Sequence, residues 1–291
     1  MIKGSLVALV TPMQPDGSVD KKSLHELIEW HIAEKTDGFV IAGTTGEGST
    51  LTEDEQYDII SDVVTQVAGR VPVIAGTGTL STDHTIHLTR NAQKAGADAA
   101  LIVTPYYNKP TQLGLFEHYK KITENTSLPV ILYNVPSRTA CDILPETVER
   151  LAAFSNIIGI KEATGNAERT ADIFNRCGKQ FAIYSGDDAT SLGSMRVGAI
   201  GVISVTANIA PHKMHLMCEA AIKGDMELAE KINNELMPLH KKLFLESNPI
   251  PAKWVLHQMG LIPSGIRLPL LSLDPKFHSE LKDAMLAVGV G

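Results

Sequence analysis

Eight short runs of apolar and β-branched residues recur along the first two-thirds of the chain. Each run is followed by a polar or glycine-rich turn and then by a segment with helical periodicity. The runs begin near residues 5, 37, 71, 98, 128, 157, 181 and 199 and read SLVALV, DGFVIAG, VPVIAG, DAALIV, LPVILY, IIGIK, FAIYSG and AIGVIS. Because the runs are continuous rather than alternating, they predict parallel strands that are covered on both faces.

The segments between these runs are amphipathic, as helices that cover a sheet should be. Residues 53–68, for example, place Ile60, Val63 and Val67 on one helical stripe. Eight strand–helix units in succession predict an α/β fold, a (β/α)8 (TIM) barrel, over residues 1–224. An open doubly wound sheet is the alternative, but that fold usually stops at about six strands and carries a phosphate-binding turn.

After the eighth run the pattern is helical throughout. Four helices are predicted, over residues 211–223, 225–245, 250–259 and 275–288. The first of them completes the barrel. We therefore interpret residues 225–291 as a C-terminal helical extension of a catalytic barrel.

Charge and cysteine content narrow the class of protein. The 291 residues include 26 Lys and Arg against 33 Asp and Glu, a formal net charge of −7 without a basic cluster. An acidic chain of this kind favours neither nucleic acid nor an anionic membrane as a partner. Three dispersed cysteines without a CxxC motif indicate reduced thiols. No apolar run reaches the ~18 residues of a transmembrane helix. We therefore expect a cytoplasmic protein.

The motifs that would indicate a nucleotide or a metal are incomplete. GTGTLS from Gly76 has Ser81 where a dinucleotide fingerprint requires its third glycine, and GTTGEG from Gly43 lacks the GK[ST] ending of a P-loop. Two histidine pairs also lack a third ligand nearby, so surface histidines are favoured over a metal site: His84 with His87, and His212 with His215.

The predicted end of the seventh strand argues against a phosphorylated substrate. Barrels usually hold a substrate phosphate in the loops after strands 7 and 8. Here the seventh run ends in SGDD, which places Asp187 and Asp188 in that region. Because two carboxylates would repel a phosphate dianion, we expect a substrate without phosphate.

Two residues at predicted strand ends suggest carbonyl chemistry. Lys161 ends the apolar run of the sixth strand, where desolvation would lower the pKa of its amine and favour attack on a carbonyl. Tyr133 ends the strand one βα unit earlier, so its phenol could move protons for the resulting carbinolamine. Each has an alternative interpretation: Lys161 as the partner of Glu162 at the rim, and Tyr133 as a structural residue bonded to a backbone carbonyl.

Three further residues could recognise carboxylates. Thr44 and Thr45 lie between glycines after the second strand, where hydroxyls and backbone N–H groups would be exposed. Arg138 follows the fifth strand and could form a two-pronged contact with a second carboxylate. Helix-capping threonines and a surface arginine are the alternatives. The placement of all these residues at strand ends is what favours a functional site.

The segments around these residues are similar to one known family. They read VTPM, GTTGE, TLT, VPVIAGTG, AGAD, PYYNKP, LYNVPSRT, GIKEA, SGDD and PAKW, and together they extend over essentially the whole chain. In them the chain resembles the dihydrodipicolinate synthase family of the pyruvate-dependent class I aldolases, a superfamily that includes the N-acetylneuraminate lyases. The resemblance implies a TIM-barrel lyase that condenses pyruvate with L-aspartate 4-semialdehyde through a Schiff base, the first committed step toward diaminopimelate and L-lysine. It also implies that no metal or organic cofactor is used.

The resemblance assigns roles to eight residues. Lys161 would form the Schiff base, Thr45 would hold the pyruvate carboxylate, and Arg138 would bind the carboxylate of the semialdehyde. A proton relay would consist of Tyr133, Thr44 and Tyr107, with Tyr107 supplied by a neighbouring subunit. Part of the pocket wall would be formed by Gly186 and the backbone carbonyl of Ile203. The borrowed Tyr107 requires at least a dimer, and the resemblance implies a homotetramer built as a dimer of dimers.

Other functions within the superfamily differ at two of these positions. Neuraminate lyases typically carry serine in place of Thr45, and they lack an arginine at Arg138, as sugar-acid aldolases usually do. A synthase must hold a short aldehyde by its distal carboxylate, so Arg138 favours the synthase. A catalytically silent binding protein is disfavoured because the whole set of residues is present.

The chain departs from the family pattern in two places. Gly48 stands where serine is usual in the GTTGE segment. Feedback-inhibited members bind lysine beside the residue matching Tyr106, through polar and acidic residues matching Gln56, Leu80 and His84. Leu80 offers no hydrogen bond, and His84 replaces a carboxylate that would bind the lysine amine. We therefore expect weak or absent inhibition by L-lysine.

Overall fold

The computed structural model describes residues 1–290 and contains a closed barrel of parallel strands in sequential order. The barrel closes where β8 pairs with β1, with Leu6 opposite Ile203. Every apolar run of the sequence is a strand, which confirms the predicted barrel. The strands are β1 Gly4–Ala8, β2 Gly38–Ile41, β3 Val73–Gly76, β4 Ala99–Val103, β5 Val130–Asn134, β6 Ile157–Glu162, β7 Ala182–Ser185 and β8 Gly201–Ser204.

Helices surround the barrel and follow it at the carboxyl end. The residue before α2 shows how they begin: Thr52 and Glu55 form a reciprocal capping box that satisfies two N–H groups of the first turn. In the described part of the chain the helices are α1 Lys21–Ala33, α2 Glu53–Val67, α3 Thr82–Lys94, α4 Gln112–Asn125, α5 Pro136–Thr139, α6 Pro145–Leu151, α7 Ala167–Cys177, α8 Ser191–Arg196, α9 Pro211–Lys223, α10 Met226–Lys242, α11 Ile250–Gln258 and α12 His278–Ala287.

The helices after β8 confirm the predicted C-terminal helical extension, with small differences at their ends. The α10 helix begins one residue later than predicted because Asp225 is its N-cap, and the Asp225 side chain accepts a hydrogen bond from the N–H of Leu228. The last predicted helix starts as a 3₁₀ turn, Pro275–Phe277, before α12. The division of the chain between residues 224 and 225 stays a prediction.

The strands bury both faces, which explains their continuous apolar character. One core fills the barrel interior and includes Leu6, Ile131, Tyr184 and Ile203. A second, larger core lies between the strands and the surrounding helices. Because successive side chains of a strand point to opposite faces, each strand contributes to both cores. No helix within residues 1–290 is both long and apolar enough to cross a membrane.

Candidate active site

A cavity of about 520 Å³ opens at the carboxyl-terminal ends of the strands. This is the face of a (β/α)8 barrel at which active sites are built. Most of the site residues predicted from the sequence line the cavity, namely Lys161, Tyr133, Thr44, Thr45, Arg138 and Gly186. Tyr107 and Ile203 lie outside this wall.

Lys161 points into the barrel because of its position in β6. Its neighbour Glu162 lies on the opposite face of the strand, where its carboxylate pairs with Arg169 (Nε to Oε2, 3.0 Å) and accepts a hydrogen bond from Asn134. The alternative interpretation, an ion pair between Lys161 and Glu162 at the rim, is therefore wrong. Strand alternation separates the two side chains.

The amine of Lys161 lies in an environment that favours its neutral form. Burial lowers the pKa of Lys161 from its ordinary value of 10.5 to about 8, and the guanidinium of Arg138 acts in the same direction. The carboxylate of Asp188 opposes them. A neutral amine is a nucleophile, whereas an ammonium is not.

Tyr133 faces Lys161 from the neighbouring strand. The two residues are register partners in the β5–β6 pair, and Nζ of Lys161 lies 4.4 Å from the centroid of the Tyr133 ring. Burial raises the pKa of Tyr133 above its ordinary value, while the charge of Arg138 and the Thr44 side chain act the other way. The phenol therefore keeps its proton at neutral pH and is available to donate it.

The turn after β2 presents two hydroxyls to the cavity in different environments. Thr44 is exposed, whereas Thr45 is only 3% exposed and its Oγ1 accepts a hydrogen bond from Nδ2 of Asn248 at 2.9 Å. The turn is closed by the N–H of Gly48, which donates to the carbonyl of Gly43 at 3.0 Å. A Cβ at Gly48 would lie 2.1 Å from the carbonyl oxygen of Ala42, so this backbone conformation requires glycine.

A buried ion pair supports this turn from below. Glu47 has a left-handed backbone (φ 55°), and its carboxylate pairs with Lys253 and accepts a hydrogen bond from the backbone N–H of Arg267 at 3.0 Å. Burial is the main cause that lowers the pKa of Lys253. Sequence reasoning missed this pair and also Asn248. The only signal was the PAKW segment, which contains Lys253 and belongs to the family pattern.

Arg138 supplies a cation at the cavity wall. It lies in the single turn of α5, directly after β5, and its side chain is exposed. An exposed guanidinium at the wall of a cavity can form a two-pronged contact with a carboxylate that enters from solvent.

Gly186 provides the space that the Lys161 side chain occupies. A Cβ at this position would lie 2.6 Å from the Cβ of Ala163 and 2.9 Å from Cε of Lys161. Any larger residue would therefore displace the amine. Two residues after Gly186, the carboxylate of Asp188 is buried. It accepts hydrogen bonds from the backbone N–H groups of Val205 and Thr206, directly after β8, each at 2.9 Å.

Two predicted residues have surroundings unlike the others. Tyr107 is 88% exposed and has a left-handed backbone (φ 71°), which is unfavourable for a residue with a Cβ. Its neighbour Tyr106 lines the cavity. Ile203 has its side chain in the core inside the barrel. The assignments of Tyr107 and of the Ile203 carbonyl stay predictions.

Three of the four histidines noted in the sequence contact carboxylates. His84 and His87 each place Nε2 3.0 Å from a different carboxylate oxygen of Glu53. His215 places Nδ1 3.0 Å from Asp37. His84, His87 and His212 are exposed, as the sequence predicted, whereas His215 is half-buried.

Comparison with known proteins identifies the family. The sequence model of the Dihydrodipicolinate synthetase family matches residues 1–288. A 4-hydroxy-tetrahydrodipicolinate synthase from Thioalkalivibrio sulfidiphilus is 57% identical over 290 residues, which cover 100% of this chain and 99% of the relative. The crystal structure of the chloride-inhibited dihydrodipicolinate synthase from Acinetobacter baumannii in complex with pyruvate is 51% identical, with a TM-score of 0.99 and 100% of both chains covered. A monomeric dihydrodipicolinate synthase variant is 39% identical, with a TM-score of 0.97 over 100% of this chain and 98% of its own. The chain belongs to the dihydrodipicolinate synthetase family.

Proposed function

We propose that the chain is a lyase that condenses pyruvate with L-aspartate 4-semialdehyde to give 4-hydroxy-tetrahydrodipicolinate, a precursor of diaminopimelate and L-lysine. The observation that carries this proposal is the pairing of Lys161 with Tyr133 at the buried end of the cavity. The names and identities of the full-length relatives support it, and so does the pyruvate bound by the Acinetobacter baumannii enzyme.

The first half of the reaction uses the amine of Lys161. The neutral amine attacks C2 of pyruvate, and loss of water leaves an iminium on Lys161. Loss of a proton from C3 of pyruvate then gives an enamine. We assign the proton transfers to the phenol of Tyr133, which burial keeps protonated, together with Thr44.

The second half forms the carbon–carbon bond and releases the enzyme. C3 of the enamine attacks the aldehyde carbon of the semialdehyde, and the aldehyde oxygen takes up a proton to become a hydroxyl. The amine of the semialdehyde then attacks C2 and displaces Lys161, which closes the ring. One water molecule is released for each pair of substrates, and the protein needs no oxidant or reductant.

Two carboxylate contacts determine which substrates react. Thr45 lines the same cavity as Lys161 and would hold the pyruvate carboxylate, while the exposed Arg138 would hold the carboxylate of the semialdehyde. The aldehyde substrate of an N-acetylneuraminate lyase or 2-keto-3-deoxy sugar acid aldolase has no distal carboxylate, so these enzymes have no need for Arg138. The presence of both residues supports the synthase over these sister enzymes.

Pyruvate consumption by the purified protein tests the proposal. We expect consumption only when L-aspartate 4-semialdehyde is present, and its loss in Lys161→Ala. Lys179→Ala, which removes an exposed lysine beyond the opposite end of β7, is the matched control and should retain activity. If the wild type is trapped on pyruvate by borohydride but does not consume it with the semialdehyde, the enzyme is a sister aldolase instead.

Assembly into a homotetramer, as a dimer of dimers, is also proposed. The support is Tyr107, an aromatic residue that is 88% exposed in the single chain and held in an unfavourable backbone conformation beside the cavity-lining Tyr106. In an assembly, Tyr107 would enter the proton relay of a neighbouring subunit. Analytical ultracentrifugation with activity measured on each species tests this, and a fully active monomer would contradict it.

Weak or absent inhibition by L-lysine is expected from three residues that match the lysine site of feedback-inhibited members. Nε2 of Gln56 already donates to the carbonyl of Gly76 at 2.6 Å, His84 contacts Glu53, and the side chain of Leu80 has no hydrogen-bonding group. A steady-state assay should therefore show little change with millimolar L-lysine. Strong inhibition in that range would contradict this part of the proposal.

The cytoplasm is the proposed compartment. Cys141, Cys177 and Cys218 are all free, as expected for a chain kept in a reducing environment. Fractionation of cells that express the protein at its natural level, with an enzymatic assay of each fraction, tests this assignment.

A further inference from the structure

Asn248 brings a polar group of the C-terminal extension to the catalytic cavity. It lies between α10 and α11, is 5% exposed, and lines the cavity together with Thr45. Its Nδ2 donates a hydrogen bond to Oγ1 of Thr45 at 2.9 Å. The two residues are 203 positions apart in the chain, so this contact exists only because the extension folds back over the turn after β2.

The direction of this hydrogen bond determines what Thr45 can offer to a ligand. A hydroxyl has one hydrogen to donate and two lone pairs to accept with. Because Oγ1 of Thr45 accepts from Asn248, its own hydrogen stays free for an acceptor in the cavity. If the amide oxygen of Asn248 faced Thr45 instead, the hydroxyl would donate to it and present a lone pair to the cavity. A lone pair would repel a carboxylate.

Two further contacts hold the extension at this turn. The buried pair of Glu47 with Lys253 and the hydrogen bond from the N–H of Arg267 to Glu47 both join the extension to the turn that carries Thr45. The segment around Asn248 is itself closed by the N–H of Ile250, which donates to the carbonyl of Ser247 at 2.9 Å. The amide is therefore held at a defined position rather than on a free loop.

The other half of the Asn248 amide carries an energetic cost. Its Oδ1 is buried and has no hydrogen-bond partner among residues 1–290. A buried acceptor without a partner destabilises the fold. An alanine or leucine at this position would avoid that cost but would leave Thr45 without its donor.

We infer that Asn248 is a positioning residue that makes the Thr45 hydroxyl a hydrogen-bond donor toward the carboxylate of the bound 2-oxo acid. This inference rests on the proposed function, because it assumes that pyruvate binds with its carboxylate at Thr45. It extends the site to the C-terminal segment, which takes part in substrate selection as well as in covering the barrel.

The test compares Schiff-base formation with two ketones, pyruvate and pyruvamide, which keeps the ketone but lacks the charged carboxylate. Asn248→Ala should raise the pyruvate concentration needed for half-maximal borohydride trapping by about 3- to 10-fold, because the Thr45 hydroxyl keeps its hydrogen but loses the neutral hydrogen bond that orients it. Trapping with pyruvamide should change far less. Asn248→Asp should weaken pyruvate at least as much, since a carboxylate would take the Thr45 hydrogen and repel the ligand.

A double-mutant cycle separates positioning from a general structural effect. In a Thr45→Val background, Asn248→Ala should have little further effect on pyruvate, because the hydroxyl that it orients is gone. Asn233→Ala is the matched control: Asn233 is a buried asparagine of α10 whose Oδ1 also lacks a partner, and it lies outside the cavity wall. This variant should leave the response to pyruvate unchanged.

Each other outcome is decisive as well. Equal losses with pyruvate and pyruvamide, or additive effects of Asn248→Ala and Thr45→Val, would overturn the positioning role and leave Asn248 a structural residue. Failure of the proposed function would look different, because the wild type would then either show no trapping on pyruvate or be trapped without consuming pyruvate when L-aspartate 4-semialdehyde is added.

Discussion

The lowered pKa of Lys161 makes a quantitative prediction for the pH dependence of Schiff-base formation. With a pKa of about 8, about one amine in eleven is neutral at pH 7, whereas an ordinary lysine with a pKa of 10.5 would have about one in 3,000. The buried site therefore raises the concentration of the reactive form about 300-fold at neutral pH. Below pH 8 the rate should rise about tenfold for each pH unit, and above about pH 9 it should level off.

Rapid-quench trapping measures this rate directly. Enzyme and subsaturating pyruvate are mixed at a chosen pH between 6 and 10, then quenched after milliseconds into borohydride at a fixed pH, and the reduced adduct is counted by intact mass. A rate that keeps rising tenfold per unit up to pH 10 would refute the reasoning, since it would show an amine with an ordinary pKa.

Two variants test the assigned causes, because they should move the inflection in opposite directions. Asp188→Asn removes the charge that raises the pKa of Lys161, so the inflection should move to lower pH. Arg138→Ala removes a charge that lowers it, so the inflection should move to higher pH. Shifts of the same sign in both variants would contradict the electrostatic account.

Three other changes have expected outcomes. Lys161→Met should raise the free energy of unfolding in urea at pH 7 by about 3 kcal/mol, because the unfolded chain binds the lysine proton more tightly than the folded chain does. This destabilisation of the wild type is lost as the pH rises from 8 to 10.5, so the difference between the two proteins should fall to about 1 kcal/mol at pH 10. A difference that does not depend on pH would contradict this prediction. Lys253→Met should lower the free energy of unfolding by about 3 kcal/mol, since it leaves the Glu47 charge buried and unpaired, and Glu47→Gln combined with it should recover part of the loss. Arg138→Lys should raise KM for the semialdehyde about tenfold or more while leaving trapping on pyruvate nearly unchanged, because lysine cannot form the two-pronged contact.

Much of the fold could be predicted because each element has its own local signal. Every strand is a continuous apolar run, and a parallel strand buried on both faces requires that pattern. The same logic located Lys161 and Tyr133, since a polar residue that ends such a run must lie at the barrel mouth. Helix ends were less accurate where a cap such as Asp225 decides the boundary.

The support beneath the site could not be predicted, because it depends on contacts between distant parts of the chain. Asn248 reaches Thr45 across 203 residues and Lys253 reaches Glu47 across 206. No local pattern links such residues before the C-terminal extension is placed on the barrel. Similarly, the preference of Glu162 for Arg169 became clear only once strand alternation fixed which face of β6 each side chain occupies.

In the proposed reaction, Lys161 converts pyruvate into the nucleophile that attacks L-aspartate 4-semialdehyde. The most direct test of this step follows the borohydride-trapped adduct by intact mass while semialdehyde is added. We expect a pyruvate adduct, localised to Lys161 by peptide mapping, to accumulate with pyruvate alone and to decrease as semialdehyde is supplied and pyruvate is consumed. An adduct on another residue, or one that the semialdehyde leaves unchanged, would contradict it.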